Sequence, residues 1–100
     1  MLFTPVSLDK ERKILFGFQA LRLFRKMTGK SLAKIDIDQE DIEDFIPTIF
    51  YCGLMHEDKD LTIESTIELL DKHLGIKGAI DLLPKILEDA FGKDTGSKNG

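Results

Sequence analysis

Residues 42 to 55 read I-E-D-F-I-P-T-I-F-Y-C-G-L-M. Apolar side chains fall at 42, 45, 46, 49 and 50, the spacing of one face of an α-helix, and Tyr51, Cys52, Leu54 and Met55 then make the second half apolar all round. A helix without a polar side must be covered by its neighbours, so this one belongs at the centre of the fold. Asp38 is placed to cap it, and Gln39, Glu40 and Asp41 would put negative charge in a first turn where the helix dipole favours it, which predicts a helix over 39–56. Pro47 interrupts the pattern. It removes one backbone hydrogen bond and crowds the preceding turn at a cost of about 3 kcal/mol, which predicts a kink or a fresh helix start there.

Working outward, the segment from Arg12 to Gly29 fits a helix with Ile14, Phe18 and Leu21 on one side, closed by Gly29 in the left-handed conformation that ends many helices. Its first third is ambiguous between helix and strand, because Ile14, Phe16 and Phe18 also alternate; the secure helix is 18–28. Within it Ala20, Leu23 and Met27 form a second apolar stripe among Arg22, Arg25 and Lys26. A two-sided helix is either sandwiched in the core or offers one side to a partner. Leu2 to Leu8 contains Pro5 and no clear period, and reads as an arm laid on the surface. Ser31 can cap a short turn through Ile35.

Downstream, Thr62 is placed to cap a helix over 63–74 whose Ile63, Ile67, Leu70 and Leu74 share a face that should lie against the central helix, with Gly75 as its stop. A last helix over 76–91 carries Ile76, Ala79, Ile80, Leu83, Leu87 and Ala90 on one side, with Pro84 predicting a second kink and Gly92 ending it. The expected architecture is mainly α: a small bundle of about four helices over residues 1–92, with a short N-terminal strand or arm. Residues 93–100, K-D-T-G-S-K-N-G, lack any apolar side chain and read as a flexible tail.

Composition narrows the function. A chain of 100 residues with 42% apolar and 32% charged residues suits one globular core. No apolar run is long enough to span a bilayer, and M-L-F-T-P-V-S-L lacks the pattern of a secretory signal, so a soluble intracellular protein is expected, without membrane partners. The net charge of -4 hides an asymmetry: residues 1–30 carry seven Lys or Arg against two acids, whereas 36–71 carry twelve acids against Lys59 alone. Nucleic-acid binding needs a more extensive basic surface; intrachain attraction or a charged protein partner fits better.

No constellation for chemistry emerges. The acidic stretches D-I-D-Q-E-D and D-K-D-L-T resemble the opening of calcium loops, but the position that needs Gly holds Asp41 or Ile63, and the final Glu is replaced by Pro47 or Leu69. Cys52 and His56 stand one helical turn apart, but two ligands make no metal site, and a lone Cys52 in the most apolar helix reads as a small hydrophobe. His73 fits the cation-favouring end of a helix. Neither a cofactor nor an enzymatic activity is expected.

Residues 16–32, F-G-F-Q-A-L-R-L-F-R-K-M-T-G-K-S-L, followed by 49–71, I-F-Y-C-G-L-M-H-E-D-K-D-L-T-I-E-S-T-I-E-L-L-D, resemble the tail assembly chaperones of long-tailed bacteriophages and related prophages. The likeness lies in Thr28 to Leu32, Gly53 to Leu54 and Asp58 to Thr62, in that order, across about residues 14–75. It implies a non-catalytic helical protein in the cytoplasm of the bacterial host, absent from the mature virion. Many copies would bind the tape-measure protein, keep its helical apolar surface soluble, and hand it to tail-tube subunits, with self-association as a further implication. On that reading Ala20, Leu23 and Met27 would be the grip. The alternative is a small regulatory or adaptor domain that binds one folded protein, with helix-turn-helix DNA binding a distant third.

Overall fold

The computed structural model describes residues 3–92; the tail expected at 93–100 lies outside them. The chain is mainly α. Strands β1 (Thr4–Ser7) and β2 (Glu11–Ile14) form an antiparallel hairpin, followed by helices α1 (Phe18–Thr28), α2 (Ile42–Leu54), α3 (Ile63–His73) and α4 (Gly75–Phe91). Single 3-10 turns at Leu32–Lys34 and Ile37–Gln39 lead into α2. As its apolar pattern requires, α2 is the hub, touching β2, α1, α3 and α4. Phe45, Ile46, Ile49, Phe50, Cys52 and Leu54 are all buried.

Of the strand or arm expected at the N-terminus, the strand is what forms. The supposed surface arm is β1, and the ambiguous stretch from Arg12 resolves as strand up to Ile14. Thr4, Val6 and Leu8 point inward, as do Arg12, Ile14 and Phe16, the period of two that a half-buried sheet demands. Pro5 is tolerated because it faces Lys13 across a two-stranded ribbon, and its missing N–H costs no ladder bond when it points to the open edge. The outer edge of β2 is covered by the end of α2. Leu15 N–H donates to the Gly53 carbonyl (2.9 Å), Lys13 N–H to Glu57 Oε1 (3.1 Å), and His56 Nε2 donates to the Lys13 carbonyl (2.7 Å). Gly53 permits this approach, since a Cβ there would lie 2.5 Å from Ile14 Cγ2 and 3.3 Å from the Phe16 ring.

Arg12 locks the hairpin loop. Its side chain is only 5% exposed, and the guanidinium donates through Nε and Nη2 to both Asp9 oxygens (2.8 and 3.0 Å) while Nη1 reaches Asp58 at 3.4 Å. The far end of the hairpin is tied to α4, where Thr4 Oγ1 donates to Asp89 Oδ2 at 2.5 Å.

α2 starts at Ile42, three residues later than its acidic run suggested. Asp38 does not cap it: the N-cap is Asp41, whose side chain makes no capping bond, and Asp38 lies in the separate turn at Ile37–Gln39, where its N–H donates to Asp36 (3.2 Å). No fresh start occurs at Pro47, and the helix runs through it, as α4 runs through Pro84. Thr48 Oγ1 donates to the Asp44 carbonyl (2.8 Å) beside the proline, where the helix ladder is interrupted. Phe24 of α1 is fully buried edge-on against Phe45, ring centroids 6.0 Å apart. The C-terminal helices lie within one residue of the expected bounds, α3 ending at His73 and α4 opening at Gly75 itself. Thr62 and Ser65 form a capping box at α3, and Gly29 and Gly75 take positive φ (77° and 79°) after α1 and α3. α3 lies against α2 as expected.

Two outcomes follow from these contacts. Gly53→Ala should lower the urea midpoint, because overpacking against Ile14 and Phe16 costs about 1–3 kcal/mol and exceeds the helix-propensity gain of at most ~1 kcal/mol. An unchanged or higher midpoint would mean the hairpin is not seated there. The guanidinium of Arg12 also holds the exposed Asp9 carboxyl down at about 2 through its hydrogen bonds. A depressed folded-state value stabilises the protein above the unfolded value near 4 and is lost as pH falls toward 2. Wild type should therefore lose more stability than Asp9→Asn between pH 4 and 2, and parallel acid profiles would contradict the lock.

Candidate partner-binding surfaces

Exposed large apolar side chains are not scattered over the surface. Among the described residues, Phe18 lines a hollow by α1, and Ile42, Ile67 and Ile76 line another where α2, α3 and α4 meet, with Met27 and Ile80 also exposed on α1 and α4. Such clustering carries more meaning than single exposed hydrophobes.

The first hollow, about 460 Å³, lies between α1 and the end of α2. Leu15, Phe18, Ala20, Leu23, Cys52 and Met55 line it, with His56 and Lys59 at one end. Of the predicted grip, Ala20 is buried in the floor, Leu23 is half-buried in the wall, and Met27 is exposed beyond it with its sulfur 3.9 Å from Cys52 Sγ. The three share one side of α1. That side is also the edge of the core, because Ala20 and Phe24 are the residues α1 buries. Phe18, expected on the core side, is instead 83% exposed. Its position explains the reversal: it opens α1 directly after Gly17, and the helix turns Ala20 and Phe24 inward, placing Phe18 on the opposite side. Ile14, grouped with it by the helical reading, belongs to β2.

The second hollow, about 380 Å³, was not foreseen as a surface. It is lined by Ile42, Ile46, Ile67, Leu70, Ile76 and Ala79, with Glu43 and Asp71 on its rim. The expected core faces of α3 and α4 are rotated: Thr66 and Leu70 are buried on α3, and Ala79, Leu83 and Ile86 on α4, which leaves Ile67 and Ile80 exposed and Ile76 70% exposed. A third, more open trough along α1 is walled by Arg22, Arg25 and Lys26.

The candidate ligand residues have other work. Cys52 is buried and His56 holds β2, so the pair that shares metal-ligand spacing is engaged in packing and in the hairpin seam. No helix among the described residues is long and apolar enough to cross a membrane. Comparison of the chain with protein-family models, with curated proteins and with solved structures returned no match.

Burial pushes the Cys52 thiol up to about 12, so little thiolate is present near neutrality. A thiol reagent at pH 8 should label the native protein at least about 100-fold more slowly than the urea-unfolded chain. Comparable rates would mean that the floor of the first hollow is open to solvent.

Proposed function

We propose that this protein is a non-catalytic tail assembly chaperone of a long-tailed bacteriophage or prophage, which holds apolar helical segments of the tape-measure protein until tail-tube subunits take them over. The supporting observation is the gathering of exposed apolar side chains into hollows walled by helices, the form that accepts an amphipathic helix. The order of helix stops and caps at Thr28 to Leu32, Gly53 to Leu54 and Asp58 to Thr62 supports the family assignment.

The hollow by α1 is the grip on this reading, with Leu23 as its wall, Met27 near its margin and Phe18 as an exposed aromatic anchor of the kind that dominates binding energy. The acidic surface of α2, α3 and the segments leading into them keeps the loaded complex soluble, since twelve acids between residues 36 and 71 face one lysine. The working place is the cytoplasm of the bacterial host, and the chaperone leaves before the virion matures.

Co-expression with the tape-measure protein of the same phage or prophage tests this. Phe18→Asp suits the purpose because the side chain is exposed and an acid in the first turn of α1 agrees with the helix dipole, so thermal unfolding should stay within about 0.5 kcal/mol of wild type. Recovery of soluble tape-measure protein should fall at least about ten-fold, as expected when an anchor is lost from a desolvated contact, and Leu23→Asp should act in the same direction. Folded variants that hold the tape-measure protein as well as wild type would reject the grip.

A further inference from the structure

We propose that the hollow between α2, α3 and α4 is a second docking site, and that its occupant is an amphipathic helix whose apolar stripe is flanked by lysine or arginine. The inference does not rest on the tail-assembly reading.

Three separate helices each leave an isoleucine uncovered at this one place: Ile42 from α2, Ile67 from α3 and Ile76 from α4. The floor beneath them, Ile46, Leu70 and Ala79, is buried core. A concave apolar surface with a rigid floor takes side chains at i and i+3 or i+4 of an incoming helix. Ile76 contributes nothing evident to folding where it stands.

The rim states the sign of the partner. Glu43 and Asp71 flank the apolar floor, and Glu64 and Glu68 lie on α3 one turn from its apolar wall; all four are acidic, and none forms an ion pair with another described residue. The nearest cation on α4, Lys77, is already held by Asp81 at 2.9 Å. Pro47, which also lines the hollow, has no N–H to give the Glu43 carbonyl one turn earlier, so the rim carries a backbone acceptor as well as carboxylates. An acidic-flanked helix would meet like charge on both sides, whereas a basic-flanked one would meet acceptors.

Two helical peptides of roughly 18 residues, sharing one leucine stripe and differing only in Lys or Glu at the flanking positions, are titrated against the isotopically methyl-labelled full chain. The Lys peptide should perturb the methyls of Ile42, Ile67 and Ile76 and bind at least about ten-fold more tightly than the Glu peptide at low salt, with the gap narrowing at about 0.5 M salt. The Glu43→Lys/Asp71→Lys double variant should reverse that preference. Ile76→Asp, in the first turn of α4 where an acid is tolerated, should weaken the Lys peptide about ten-fold without unfolding the protein. Equal affinities, no binding, or perturbation confined to the α1 hollow would overturn the proposal. So would sedimentation showing that Ile76→Asp dissolves a self-assembly of wild type, since the occupant would then be a second copy. The peptides contain no tape-measure sequence, so a failure here leaves the tail-assembly reading standing, and a failed tape-measure capture leaves this site standing.

Discussion

The seam between β2 and the end of α2 is the constraint from which the other contacts follow. A two-stranded hairpin is marginal alone and presents an open edge, so its backbone groups need partners from elsewhere in the chain. Here Lys13 and Leu15 find them on Gly53, His56 and Glu57. The approach is close enough that only glycine fits at position 53, with Ile14 and Phe16 filling the space a side chain would take. Once the hairpin is seated there, Thr4 meets Asp89 and brings α4 against β1, joining residues 85 apart in sequence. The hairpin is thus a brace that ties the central helix to the last one.

That seam also explains which parts of the fold were legible in the sequence. Helix existence and helix ends depend on local signals, and Gly29, Thr62, Gly75 and Gly92 stand where such signals put them. The role of α2 followed from a composition that could only be buried. β1 was hidden because Pro5 argues against a strand until its edge position is known, and the inward alternation of Thr4, Val6 and Leu8 is too short to be read alone. Gly53 had no reading as a contact point, since nothing local says that a strand crosses there.

The surfaces were harder still. Periodicity finds the apolar side of a helix but not how far that side turns from the core, and a rotation separates Ile67, Ile76 and Ile80 from the buried Leu70, Ala79 and Ile86. On α1 the stripe of Ala20, Leu23 and Met27 was visible, yet its relation to the core was not: Phe24 takes the buried position and Phe18 is turned out. What remains exposed is apolar in two places and oppositely charged in two others, cationic along α1 and anionic along α2 and α3. The buried residues of α2, Ile46 beside one hollow and Cys52 beside the other, tie both surfaces to the same central helix.

If the brace organises the domain, β2 and α2 must open together. Native-state hydrogen exchange at the Leu15 amide, whose N–H is bonded to Gly53 across the seam, reads this directly. The expected result is protection equal to that of the α2 amides from Ile49 to Leu54, with the same dependence on denaturant, as for one cooperative unit. Exchange of Leu15 at the rate of an exposed loop, while those helix amides stay protected, would contradict it.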